Sequence, residues 1–407
     1  MMETESVLVL DSQGQNSLAL TRTLGRKGLS VIAGGSSRYL PGMLSKYADD
    51  SYVHPDPATE PSAFVEDLES YLSTHDIAAT FALTDLVTSV LSLHKDRLEA
   101  TGTRIGVEDW ETFLAANDKK RLFELAEDLD VPSPRTHAPE TMADLDAIDR
   151  ERDYKVVVKP RRTTFIDGGD EGHTNRMRGE NYVEPEEDLR TRFRSLIADN
   201  SALQQEYPLV QEFIDGVETK CTVGLADEGE LVAFFQHEKD RVYPLSGGVG
   251  SIRQGTWEPR MKEYAEEVVA ALEWTGPVHV EFMETPDGDF SLLEVNGRYW
   301  GALALAINSG VNVPWLHYRQ LVDPEADLSR LDGYRTDIRQ RKLFFRDVQW
   351  LRAQFDRGNY SAIRPFLASF ARSREELLDP TDPLPFLGVA PRVVDVLTSL
   401  REGNTVY

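Results

Sequence analysis

VHVEFMETPDGDFSLLEVNGR, residues 278–298, places two runs of alternating apolar and polar residues on either side of a turn. Alternation of this kind marks half-buried strands, and Thr-Pro-Asp-Gly-Asp is turn chemistry, so residues 278–283 and 290–296 are expected to form an antiparallel hairpin. A turn centred near Asp287 sets Glu281 opposite Glu294. Two carboxylates facing each other repel, which costs stability unless a cation sits between them. Asn296 and Arg298 follow Glu294 at every second position, on the same face if the strand runs on. Two carboxylates and a carboxamide oxygen suit magnesium, which binds through one or two carboxylates and the oxygens of phosphates. The competing reading is a solvated acidic face.

The rest of the chain decides between these readings. Its 407 residues, 41% hydrophobic, suffice for a large core and about two or three domains. The formal charge of -25 and the lack of a basic face argue against a nucleic-acid partner. Basic residues comprise 11 Lys and 33 Arg. With acidic residues spread along the chain, this resembles the composition of proteins from a salt-loving archaeon; an ordinary acidic enzyme is the alternative. No apolar run approaches the roughly 20 residues of a membrane span, and the polar start METES is no signal peptide, so a cytoplasmic protein without a membrane partner is expected. A lone cysteine, Cys221, rules out an internal disulfide and a metal site built of cysteines, and its apolar neighbours suggest a buried structural thiol.

SVLVLDS at residues 6–12, the helix-like run after it and LSVIAGG make a βαβ unit. The G-x-G-x-x-G fingerprint is missing, because Gly14 stands alone after the first strand, so a dinucleotide site is not expected there. Residues 1–115 read as an open α/β domain. From Asn117 the pattern changes: NDKKRLFELAEDLDVPSPRT is a capped helix ended by prolines. YKVVVKP is a buried strand closing on Lys159, whose ammonium needs an anionic partner such as phosphate, or else snorkels out at the strand end. FIDGGDEGHTNRMRG, residues 165–179, is glycine-rich as a phosphate cradle would be, yet acidic and without a Walker sequence. PLVQEFIDGVETKCTVGL gives two strands around an Asp215-Gly216 turn, the second carrying Glu218.

The ordered set KKRLFELAEDLDVPSP, VVVKP, VQEFIDGVE, HVEFM and LLEVNGR resembles the ATP-grasp superfamily, in particular its carboxylate-amine ligases, over roughly residues 5–325. The resemblance implies an α/β and α+β architecture. An N-terminal open α/β (pre-ATP-grasp) domain, 1–115, precedes a two-subdomain ATP-grasp fold, 116–325, whose smaller nucleotide-covering part is about 155–215. A helical C-terminal extension, 326–407, either packs as an arm or mediates a homodimer.

The resemblance also implies the site. Lys119 or Lys120 and Lys159 would hold ATP phosphates; Gln211, Glu212, Phe213 and Ile214 would form the hinge that reads adenine; Glu218 would bind the ribose hydroxyls. Glu281, Glu294 and Asn296 would hold magnesium, with manganese as a substitute, and Arg298 would face the transferring phosphoryl group. Arg298 or Arg253 would stabilise the oxyanion when an acylphosphate, made from ATP and a small-molecule carboxylate, meets an amine. YPLSGGVGSIRQG, residues 243–255, with its glycines and Arg253, is the candidate carboxylate-binding stretch; a surface loop is the alternative. A thiol, bicarbonate or phosphate acceptor, or nucleotide binding without catalysis, are the alternatives.

Overall fold

The computed structural model describes residues 4–166, 172–174, 179–198, 200, 203–204, 206–245, 249–328 and 333–390. The glycine-rich loop expected at 165–179 lies largely outside the described residues, as do residues 246–248 of the stretch 243–255 and residues 391–407 of the C-terminal extension.

Three large sheets follow one another along the chain, and a fourth, two-stranded one pairs Thr164–Ile166 with Gly172–Thr174. The first is a five-stranded parallel sheet in the order Asp50–Val53, Ser30–Gly35, Ser6–Val9, Ala79–Phe81, Arg104–Ile105. Val7, Leu8 and Val9 are fully buried, as the middle strand of a sheet covered on both faces must be. Asp11 follows that strand in the left-handed region, at φ 58, and its buried carboxylate accepts hydrogen bonds from the Leu83 and Thr84 amides and the Thr84 hydroxyl. Thr84 in turn caps helix Asp85–Leu93. This chain of contacts fixes where Asp85, the first residue of that helix, points.

The second sheet is antiparallel, in the order Tyr182–Val183, Val156–Lys159, Leu209–Glu212, Thr136–His137. Helices Met142–Glu151 and Leu189–Ile197 cover one face, where Val156, Val158 and Val210 pack with Leu145 and Phe193. Because side chains alternate, Val157 and Lys159 belong to the opposite face.

The third sheet has seven strands, in the order Phe290–Asn296, Gly276–Glu284, Thr219–Asp227, Glu230–Tyr243, Val249–Thr256, Arg339–Arg341, Arg374–Glu375. Val278, Val280, Phe282, Leu292 and Val295 pack with Trp274 and with Val268 of helix Pro259–Ala271, which leaves the other face for polar residues. In the hairpin, Glu281 lies opposite Glu294 and His279 opposite Asn296. Between Glu281 and Phe282 the register shifts by one residue, so that Leu293 is the extra residue of a bulge. The bulge lets Leu292 stay in the core while Glu294 keeps the polar face.

The C-terminal extension contains helices Val348–Asp356 and Ile363–Arg372, and it also supplies the last two strands of the large sheet. It then returns to the N-terminal domain. Arg22 Nε lies 2.8 Å from Asp382 Oδ2, both groups being buried, and the same carboxylate accepts from the Ser45 hydroxyl and the Lys46 amide. Asp382→Ala would leave a buried guanidinium unpaired, so a loss of about 3–5 kcal/mol is expected, readable by denaturant melts. A change below 1 kcal/mol, the usual ceiling of an exposed pair, would count against this anchoring.

Candidate active site

The second and third sheets border a cavity of about 880 Å3. Phe213, Ile214, Glu218, Glu281, Arg253 and Trp300 are among the residues that line it. Burial raises the Glu218 carboxyl above its ordinary range, and Glu238 adds to that. Lys155 lies over the Phe213 ring at 4.9 Å, which leaves Phe213 as a partly exposed edge of the cavity.

The structure brings Glu281, Glu294 and Asn296 together and surrounds them with cations. Lys239 Nζ is 3.1 Å from Glu281 Oε1, and Lys119 Nζ is 3.9 Å from Glu294 Oε2. The Asn296 amide donates to Glu294 Oε1 at 3.0 Å. Burial alone would raise the Glu294 carboxyl; Lys119, Asn296, His279 and Lys159 outweigh it and hold it well below the usual range. Lysines thus supply positive charge to the opposed carboxylates. The donor set is all oxygen and partly open to solvent, which fits magnesium.

Lys159 turns inward rather than out to solvent. Its Nζ donates to Gln211 Oε1 at 2.6 Å, and burial pulls its pKa down to about 8, against the opposing field of Glu294. Gln211 is buried and also bonds Thr136, so it orients the lysine instead of lining the cavity. The Glu212 amide is used by Arg135 and the Phe213 amide by Lys155. Of the two lysines opening helix Lys119–Asp128, the structure brings only Lys119 to the carboxylates; Lys120 reaches Glu140, at 3.4 Å, on the far side.

Arg298 is doubly bonded to Asp85, at 2.6 and 3.0 Å, so the N-terminal domain holds the guanidinium beside the hairpin. Arg253 is 9% exposed, and among the described residues its side chain has no hydrogen-bond or ion-pair partner. Gly250 makes room for it, since a Cβ there would come within 3.0 Å of its Nε. Lys342 of the C-terminal extension stands nearby, its ammonium paired with Glu376 at 3.5 Å.

Sequence reasoning did not single out Lys239, His279, His237 or Asp85. His279 was within reach of it, because alternation puts it on the face of Glu281. Lys239 needed the register of a third strand, and Asp85 needed the packing of two domains.

The chain has the ATP-grasp fold. Residues 204–340 match the profile of a family described as ATP-grasp in the biosynthetic pathway with Ter operon. Biotin carboxylase from Campylobacter jejuni, solved with β,γ-ATP, superposes with a TM-score of 0.65 at 16% identity over 83% of this chain and 75% of that one. L-amino acid ligase from Bacillus licheniformis gives 0.58 at 15% identity, over 83% and 79%. Phosphoribosylglycinamide synthetase from Anaerococcus prevotii gives 0.57 at 16%, over 79% and 75%. Among the described residues no helix is long and apolar enough to cross a membrane.

Proposed function

We propose that the protein is an ATP-dependent ligase that activates a carboxylate as an acylphosphate and couples it to an amine. The observation that carries this reading is Arg253, a buried guanidinium without a side-chain partner among the described residues, which lines the same cavity as Glu281 and Lys239. A buried cation of this kind calls for an anion, and the nucleotide phosphates are already provided for by Lys119 and Lys159. Arg253 therefore falls to the second substrate's carboxylate.

A carboxylate is a poor acyl donor because its oxygen is a bad leaving group, and phosphorylation removes that limit. In this reading Phe213 and Ile214 border the adenine, Glu218 takes the ribose hydroxyls, and Lys119 and Lys159 bind phosphate oxygens. Glu281, Glu294 and Asn296 would hold magnesium or manganese, which when bound neutralises charge on the nucleotide's phosphates. Arg298, oriented by Asp85, faces the transferring phosphoryl group. Arg253 orients the carboxylate so that its oxygen meets the γ-phosphorus, then stabilises the tetrahedral oxyanion as the amine adds. Phosphate leaves with the electron pair of the acyl C-O bond, and the amine's proton passes to solvent.

The names of two of the superposed proteins, an amino acid ligase and a phosphoribosylglycinamide synthetase, support an amine as acceptor. Bicarbonate is the alternative, since it is bound in a structure of the 2-oxoglutarate carboxylase biotin carboxylase domain from Hydrogenobacter thermophilus. The arginine-rich, acidic composition further supports a cytoplasmic enzyme of a halophile, so assays belong in molar salt.

The test is incubation with ATP, magnesium and pooled carboxylates and amines, followed by mass identification of products. ADP and phosphate are expected, because only the γ-phosphoryl group moves. AMP and pyrophosphate would indicate adenylation and overturn the acylphosphate route.

A further inference from the structure

One row across the large sheet carries chemistry that the proposed reaction leaves unused. Glu281, Cys221 and His237 are register neighbours on three adjacent strands, and all three line the cavity. His279 lies two residues before Glu281, on the same face, and lines the cavity as well. Ligand atoms of Cys221, His279 and Glu281 lie within 4.8 Å of one another. His237 is the register partner of Cys221 but lies outside that group; it is 4% exposed, and among the described residues neither of its ring nitrogens has a hydrogen-bond partner. Buried polar atoms without partners are rare in folded proteins, so this imidazole points to a ligand.

We propose that Cys221, His279 and Glu281 form a soft-metal site of the zinc class, next to the oxygen face of Glu294 and Asn296, and that His237 turns in to supply the fourth ligand. One sulfur, two imidazole nitrogens and one carboxylate oxygen make a four-ligand set suited to tetrahedral zinc, whereas magnesium takes oxygen alone. Binding releases the thiol proton to solvent. His279 Nε2 faces Glu281 at 4.0 Å, while Nδ1 faces the Asn296 carboxamide at 3.3 Å. Glu281 serves both faces, so zinc is an antagonist of magnesium at the neighbouring position.

The test uses the full, metal-stripped, untagged chain and needs no turnover, so it stands apart from the ligase reading. Cobalt alone is expected to bind once per chain with tetrahedral absorption bands and a thiolate charge-transfer band, and zinc is expected to displace it. Cys221 is the only thiol in the chain, so that band has one source. Cys221→Ser should abolish the band and weaken zinc binding roughly tenfold or more, and His237→Gln should keep the band and weaken zinc by a similar factor. A wild-type cobalt complex that is octahedral and lacks the thiolate band would place the cation on the carboxylates and overturn the proposal, whether or not the variants fold. Zinc binding unchanged in a folded Cys221→Ser protein would overturn it equally.

Discussion

Glu294→Gln is expected to slow ADP release by about a hundredfold to a thousandfold, the scale set by losing one charge-stabilising group at a reacting centre. The same change is expected to lower the stability of the ligand-free protein at neutral pH. Taken from the sequence alone, the opposed glutamates repel, and removing one charge should leave the metal-free protein as stable or more so. The structure reverses that sign: Lys119 lies 3.9 Å from Glu294, Lys159 acts on it as well, and the carboxyl is held below its ordinary range. A carboxyl whose folded pKa is depressed contributes stability above its unfolded value, about 4.3, and loses it as pH falls through the folded value. The gap between wild type and Glu294→Gln should therefore be present at pH 7 and close on acidification below about pH 4. Melts at both pH values, beside an ADP-release assay on an identified carboxylate, measure both effects. Near-wild-type turnover in the variant would remove Glu294 from the metal face and the ligase reading with it.

The hairpin was legible because everything that sets it is local: alternation, turn residues, and a period of two that ties Glu294 to Asn296. Even the pairing of Glu281 with Glu294 was within reach, although the bulge at Leu293 that produces it was not, because leucine at that position gives no sign of being the extra residue. The N-terminal parallel sheet announced itself through a largely apolar strand, SVLV, followed by a helix. Long-range partners were a different matter. Nothing near Arg298 reveals that Asp85, more than two hundred residues earlier, will hold it, and nothing near Asp382 reveals Arg22. The C-terminal strands Arg339–Arg341 and Arg374–Glu375 are too short and too polar to show alternation, and they exist because an edge of the large sheet was open to them. Lysine identity was the hardest to read: KK at residues 119–120 is symmetrical in sequence, and only the helix start at Lys119 decides which ammonium turns inward.

Binding of ATP is expected to draw in a proton near pH 8, through Lys159. In the free protein burial lowers this ammonium to about 8, from an ordinary value near 10.4. The unfolded chain therefore holds more protons than the folded one between these values, and this residue's penalty on stability fades as pH rises through that window. Phosphate oxygens beside Nζ favour the charged form and carry its pKa back up. At pH 8, where about half of the free protein is protonated at this position, ATP binding should take up about half a proton, and above pH 8 affinity should fall by at most tenfold per pH unit. Calorimetry in two buffers of different ionisation enthalpy measures the uptake directly. Lys159→Met should abolish it and weaken ATP by roughly tenfold to a hundredfold, the cost of one charge-assisted hydrogen bond. Gln211→Leu, which removes the acceptor at 2.6 Å but leaves the ammonium, should retain the proton uptake while reducing affinity less. An affinity that stays flat from pH 7 to pH 9, or an uptake that survives Lys159→Met, would show that the ammonium does not meet the nucleotide.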